Sequence, residues 1–467
     1  MENAQSGMRA RVDVRRPWLA ILPLMLGSFV GMFSETSLNI ALPQLMKALQ
    51  VGQSSIQWLV TGYMLVIGIV LPLSSLLTKW FTTKKLVLFG LGAFIIGSLI
   101  SGFGVNFPMV LIGRMIQGIG TGIILPLMFT IAMLIFPPNK LGTVNGVLAL
   151  VIMFAPAIGP TLTGLILAVG SWRDIFFTFV VFLVIAFVIG LFSLVNVSQI
   201  TKPKVDFISI ILSIFAFSGL IAGASFASEL GWLSVQVLAC LIVGIIALIF
   251  YVRRQLKLEV PVLNMRVFRH RNFTLGAILV MVDFGIILSA MYLLPQYLQN
   301  GLLVAVALTG IIMLPGGVIN AATSALAGRM YDSFGAKWPA RIGFAVAFVG
   351  AVMLALVTTH SAIWYVILAH IILMIGAPLA MSPSQTSALN SLKGLESADG
   401  SAILNTMQQI VGALATSFLT VGRNAVTGSA AFKFTNGVHY GMYFTIALTV
   451  IGFIVALFVK DDGKYTD

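Results

Sequence analysis

The sequence contains a single cysteine, Cys240, among 467 residues. That excludes an internal disulfide and any cysteine-rich metal site, and it leaves Cys240 read as a small packing residue. The four histidines, His270, His360, His370 and His439, are scattered without ligand spacing, so no metal is expected. An intramembrane enzyme is disfavoured, because neither a nucleophile with its base nor a metal cluster is visible. No G-x-x-x-x-G-K-[ST] run occurs, which argues against ATP-driven work by this chain alone. No carbonyl-filter sequence or ring of acids marks a channel. Period-two alternation is missing, which argues against a membrane barrel. Charge itself is scarce, with only 9% of residues Asp, Glu, Lys or Arg.

Apolar residues fill the space that charge leaves. They make up 59% of the chain, and the mean hydropathy is +1.05. Stretches of about 20 such residues, enough to cross roughly 30 Å of hydrocarbon at about 1.5 Å per residue, recur from Trp18 to Val459. The chain is therefore expected to be an all-α integral membrane protein with fourteen spans. The first span is too long for a cleaved signal and lacks a small-residue cleavage site. With the N-terminus inside, only Lys47, Arg173, Arg423 and Lys433 fall outside and only Arg114 falls within a span; every other Lys and Arg lies in an inner segment. This places both termini in the cytoplasm by the positive-inside rule. The net charge of +13 then reflects basic loops facing an anionic lipid leaflet and requires no nucleic acid.

The chain repeats itself weakly. "LPQ" stands at Leu42–Gln44 and again at Leu294–Gln296, "SLLTKWFTTKK" from Ser75 can be laid on "GRMYDSFGAKW" from Gly328, and "GRMIQGIG" from Gly113 on "AHIILMIG" from Ala369. The three pairs keep their order at a nearly constant offset, which points to two related bundles with the binding site between them. The expected organisation is a cytoplasmic N-terminus at 1–17, a six-helix bundle at 18–200 and two inserted helices at 201–255. A basic linker at 256–272, a second six-helix bundle at 273–460 and a cytoplasmic tail at 461–467 complete it.

At these motifs the chain resembles the major facilitator superfamily, and within it the fourteen-span drug:proton antiporters, a group that includes multidrug and lincomycin exporters. "GRMIQGIGTG" is similar to the family's fourth-helix motif, whose arginine, here Arg114, the resemblance links to proton coupling; Gly118 lies in the same run. "APAIGPTLTG" resembles the fifth-helix antiporter motif, with Gly159, Pro160 and Gly164 in place and Ala155 and Thr163 where glycine is usual. "GRMYDSFGAK" resembles the inner-loop gating motif, with Gly328, Asp332 and Gly335 matching. In the first copy of that loop Lys79 stands where the family has an acid and Thr82 where it has glycine, which works against the family's charge latch in the N-terminal half. "SETSLNIALP" looks like the subgroup's first-helix signature, with Glu35 close to a family acidic position.

A charge in mid-bilayer costs roughly 2.5–3.5 kcal/mol on insertion scales, so Glu35 must be neutral, paired or facing a wet cavity. Those alternatives suit a group that loads and releases protons, and Asn39, one turn on, shares its face. The competing reading is a permanently protonated carboxyl bonded to a neighbouring helix. Asp283 lies about 15 Å into the ninth span, near the midplane, and is expected to act as a second cavity acid. Arg114 is expected to bias Glu35, against a structural role holding the first helix to the fourth. His370, which the repeat aligns with Arg114, has a titration range near neutrality, though a lone histidine among apolar residues is commonly only hydrogen-bonded. The resulting expectation is proton-coupled efflux by alternating access: lipophilic, often cationic drugs or dyes exchanged for protons, with no cofactor beyond the proton gradient and the chain acting as a monomer in a bacterial plasma membrane. The alternative is a proton-coupled exporter of a narrower endogenous metabolite or lipid-like substrate.

Overall fold

The computed structural model describes residues 14–56, 58–197, 200–202, 206–259, 261–392, 396–424 and 426–459. The terminal segments assigned to the cytoplasm, before 14 and after 459, lie outside the described residues. The long helices are α1 Pro17–Leu49, α2 Trp58–Trp80, α3 Thr83–Gly102, α4 Phe107–Ile135, α5 Leu141–Val169, α6 Trp172–Ser193 and α7 Phe207–Leu230. They continue with α8 Val235–Lys257, α9 Arg271–Gln296, α10 Val306–Phe334, α11 Lys337–Ala355, α12 Ile363–Asn390, α13 Glu396–Asn424 and α14 Ala430–Leu457. Several start with a polar cap: Asn106 accepts from Met109 N at 3.0 Å before α4, Ser171 and Asp174 form a capping box on α6, and Ser234 and Ser429 cap α8 and α14. These caps satisfy N-terminal amides that lipid cannot.

Among the described residues twelve helices are long and apolar enough to cross a membrane, or thirteen if Leu141–Pro156 and Thr161–Val169, bent by 43°, form one span. The bend in α5 falls between Pro156 and Thr161, where the proline at position 160 in the sequence cannot donate to the carbonyl of residue 156. The helix not counted is α13, whose side chains are described only as far as Val411 and whose described part carries Glu396, Asp399, Asn405, Gln408 and Gln409. With α13 set aside for that reason, the count among the described residues is twelve or thirteen, and the fourteen expected from the sequence match the fourteen long helices in number.

The packing repeats at an interval of eight helices. α1 packs on α4, α5 and α6, and α9 packs on α12, α13 and α14; α2 lies on α4 as α10 lies on α12; α3 lies on α4 and α6 as α11 lies on α12 and α14. Glycine sets the closest of these approaches. A Cβ on Gly97 of α3 would meet Gly113 O of α4 at 2.6 Å, and one on Gly343 of α11 would meet Gly376 O of α12 at 2.7 Å. In lipid, such backbone proximity replaces the hydrophobic drive that holds soluble bundles together. The halves meet along two seams, α5 with α10 and α2 with α13.

Helices α7 and α8 form a close pair, with Gly219 of α7 against Gly244 of α8. α7 lies against both α2 and α13, so the pair sits over the outside of that seam. At its start Asp206 takes two hydrogen bonds from Arg254 of α8, at 2.7 and 2.9 Å. This bidentate contact and a bond from Ser209 hold the Asp206 carboxyl down at about 2. A depressed carboxylate adds stability above its ordinary range near 3.8 and loses it as the pH falls towards 2. Asp206→Asn is expected to lower the thermal midpoint of the detergent-solubilised protein at pH 7, by the equivalent of about 0.5–1 kcal/mol, and the gap between variant and wild type should narrow below pH 3. An equal gap at pH 7 and pH 2.5 would show that the ion pair is not its source.

Candidate functional site

Glu35 lies on α1, 5% exposed, and its Oε2 has no hydrogen-bond partner among the described residues. Arg114 of α4 is fully buried within electrostatic reach of it. The two make no contact ion pair; among the described residues the ion pairs are Lys79 with Asp399, Arg254 with Asp206 and His270 with Glu396. Neutral groups occupy the guanidinium instead. Nε donates to Leu59 O at 3.0 Å, Nη1 to Gln117 Oε1 at 2.7 Å and to Ser34 Oγ, and the plane lies 4.0 Å from the Tyr63 ring centroid. Tyr63 in turn donates to Gly31 O at 2.9 Å and pairs with Thr121 at 2.8 Å. Helices α1, α2 and α4 are thereby tied around one cation, and the nearby carboxylate keeps an oxygen free of protein donors.

Where the halves face each other there is a narrow cavity, with free room of about 10 Å³ for a water-sized molecule. Its N-terminal wall is apolar: Met32, Leu125, Phe129, Ala149 and Ile152. Phe284 and Met381 continue that surface, and the rest of the wall is a group of amides, Gln385 of α12 with Asn405, Gln408 and Gln409 of α13. Asn405 donates back to Ser401 O at 2.8 Å, while Ser401 donates to Pro126 O of α4 at 2.9 Å and fixes α13 against the other half. Among the described residues no carboxylate lines the cavity. Asp283, one residue before Phe284, is fully buried with neither oxygen hydrogen-bonded, and it does not reach the lining. Depth in a span is legible from sequence, whereas the groups a side chain meets are not.

The basic-loop end of the molecule is closed by two contacts that the repeat relates. In the second half Asp332, near the end of α10, accepts from Gly142 N and Thr143 N, each at 2.8 Å, and from Thr143 Oγ1, at the first turn of α5. A carboxylate on the exposed amides of a helix N-terminus is favoured by both hydrogen bonding and the macrodipole. In the first half the equivalent position is Lys79, which faces the first turn of α13. There Asp399 supplies the acid, 3.8 Å from Lys79 Nζ, and also takes the Ser75 hydroxyl. The expectation that Lys79 works against a latch is overturned: the charges have changed sides and the contact is kept.

The comparisons with known proteins agree on what this architecture is. The family profile of the Major Facilitator Superfamily matches residues 24–207 and 207–416. The chain belongs to that superfamily. It is 41% identical to the lincomycin resistance protein LmrB of Listeria monocytogenes over 95% of its own length and 97% of that protein. To the LmrB of Bacillus subtilis it is 43% identical, over 94% and 95%. Among solved structures a double-Trp mutant of XylE shares the fold at a TM-score of 0.69 and 15% identity, covering 97% of this chain and 98% of the other. Family and fold point to a transporter rather than an enzyme.

The other residues singled out in this facilitator are scattered more widely. Gly118 backs onto Tyr63 O and Val66 of α2, and Gly159 onto Thr36 of α1, while Gly164 faces open space. Gly328 touches the backbone of Gly142 at the α5–α10 seam, and Gly335 ends α10 with φ 72°, which favours glycine. The side chains of Asn39 and Pro160 lie outside the described residues. His370 is 3% exposed, packs its ring on Gly316 of α10 and leaves Nδ1 unpartnered; no described contact brings it to Glu35 or Arg114. Sequence reasoning passed over the four amides and Asp399. The available signal was the polar run "NTMQQ" at Asn405–Gln409, inside a segment read only for length.

Proposed function

We propose that this transporter exports small-molecule drugs, lincomycin among them, from the cytoplasm in exchange for protons, by alternating access of the central cavity. The observation that carries the coupling is the Glu35–Arg114 arrangement. A buried carboxylate with a free oxygen, close to a cation whose donors are engaged by neutral groups, can take and release a proton without breaking a contact ion pair. Protonation cancels the carboxylate's attraction to Arg114, so the interaction between α1 and α4 differs between the two protonation states. That difference is what a coupled cycle requires, since a proton can shift a conformational equilibrium only by its differential free energy with the two states. The two latches at the basic-loop end support a conformation closed on that side, with the bent α5 at one seam. On this reading both termini are cytoplasmic and one chain is the working unit.

Glu35→Gln preserves shape and removes the titratable proton. In vesicles with an imposed pH gradient the variant is expected to lose at least 90% of gradient-driven lincomycin export, while remaining monodisperse and keeping wild-type thermal stability within a few degrees. Export that still responds to the gradient as in wild type would remove Glu35 from the coupling step.

A further inference from the structure

The amide wall has a property that the exporter reading does not explain. Gln385, Asn405, Gln408 and Gln409 are each at most 7% exposed, yet Gln385, Gln408 and Gln409 make no hydrogen bond to a described residue. Asn405 spends one N–H on Ser401 O and keeps its carbonyl. Each glutamine offers two N–H donors and a carbonyl, so the wall presents donors and acceptors in quantity and no formal charge. Buried amides are normally satisfied by protein, and a cluster left open towards a cavity is prepared for a ligand that hydrogen-bonds. Across the cavity Met32, Leu125, Phe129 and Phe284 offer only apolar and aromatic surface.

Resting on the exporter reading, we infer that the amide wall selects the substrate: it binds the uncharged hydroxyl and amide groups of an amphipathic molecule whose apolar body lies against Met32, Phe129 and Phe284. Charge is not what this surface recognises. A lipophilic cation without hydrogen-bonding groups fills the apolar half and leaves the amides unpaired. A polyhydroxylated or amide-bearing compound pairs with them, and sites built to hydrogen-bond discriminate strongly against analogues that lack the matching group. The uneven division between halves also has a dynamic consequence. Amides on α12 and α13 belong to one bundle, so the polar end of the substrate travels with that bundle when the seams open.

The test uses the whole protein in vesicles with an imposed pH gradient and two probes. Lincomycin carries several hydroxyls and an amide, whereas tetraphenylphosphonium is a permanent cation with no hydrogen-bonding group. Gln385→Leu and Gln408→Leu are each expected to raise the ratio of the KM for lincomycin to that for tetraphenylphosphonium at least tenfold, equivalent to about 1.4 kcal/mol of selectivity. Gln408→Glu keeps the size, removes the N–H donors and adds a charge. It should move the ratio the same way, and it remains informative if a leucine variant fails to fold. A ratio that stays within twofold in Gln408→Glu and in every leucine variant that folds, or KM values for both probes that rise together, overturns the inference. Wild-type vesicles that export tetraphenylphosphonium but not lincomycin overturn it while leaving the exporter reading intact. Vesicles that move neither probe remove both.

Discussion

Arg114→Ala is expected to destabilise the N-terminal bundle by about 3–5 kcal/mol and to abolish coupled export, a larger loss than any surface substitution would give. The guanidinium fills fully buried volume between α1, α2 and α4, and its removal leaves the Gln117 carbonyl, the Leu59 carbonyl and Ser34 without their donor. Loss of the packed face under Tyr63 adds a cavity term. Arg114→Lys separates structure from coupling. Lysine restores a charge near Glu35 but cannot reproduce the fork that reaches Leu59, Ser34 and Gln117 together. Its stability should recover by about half, while gradient-driven export stays at least tenfold below wild type. Denaturant unfolding of the purified protein, followed by Trp fluorescence and set beside vesicle transport, provides both readings. An alanine variant with wild-type stability would mean that water or a neighbouring side chain takes over the acceptors.

Reversing one charge of the first-half latch is expected to open it. Lys79→Glu places a second acid beside Asp399 and opposite a first turn that already holds Glu396, so attraction becomes repulsion in a partly buried setting. Export should fall at least tenfold, and a thiol reagent applied from the basic-loop side should reach Gln409→Cys, made in a Cys240→Ser background, several times faster than when Lys79 is kept. Adding Asp399→Lys restores opposite charges, and labelling should slow again. The rescue will be incomplete, because a lysine in the first turn of α13 meets the positive end of the helix. In the second half, where Asp332 bonds directly to the first amides of α5, Asp332→Asn should have a milder effect than Lys79→Glu, since an amide still accepts part of what the carboxylate accepted. Labelling that ignores both the reversal and the swap would show that the seam is held shut by other contacts.

The long helices were legible in the amino-acid order because a bilayer demands uninterrupted apolar length, and the repeat was legible at its glycine-bearing motifs because close backbone approach tolerates little else. α13 was placed correctly by length, but its amides were overlooked because the segment was read for length alone, although Ser397, Ser401, Asn405 and Gln408 recur at helical spacing along one face. Asp399 escaped notice for another reason. Its partners Lys79 and Ser75 lie more than 300 positions away in the chain, and nothing local announces a contact of that kind. For Asp283 the sequence gives a depth, and the structure adds full burial with neither carboxylate oxygen bonded to a described residue. Depth is a one-dimensional property of a span, whereas facing depends on which neighbours pack against it.

The position of α7 makes the two seams unequal. One seam, α2 with α13, is covered by α7, a helix outside both bundles that touches each of its members; at the other, α5 with α10, the helix touching both is α12, itself part of the second bundle. A molecule dissolved in the acyl chains therefore meets two different flanks as it diffuses around the protein. On one side a third helix stands between it and the latch of Lys79 and Asp399. On the other, the bundles meet backbone to backbone where Gly142 packs on Gly328, so parting them there means separating two buried main chains.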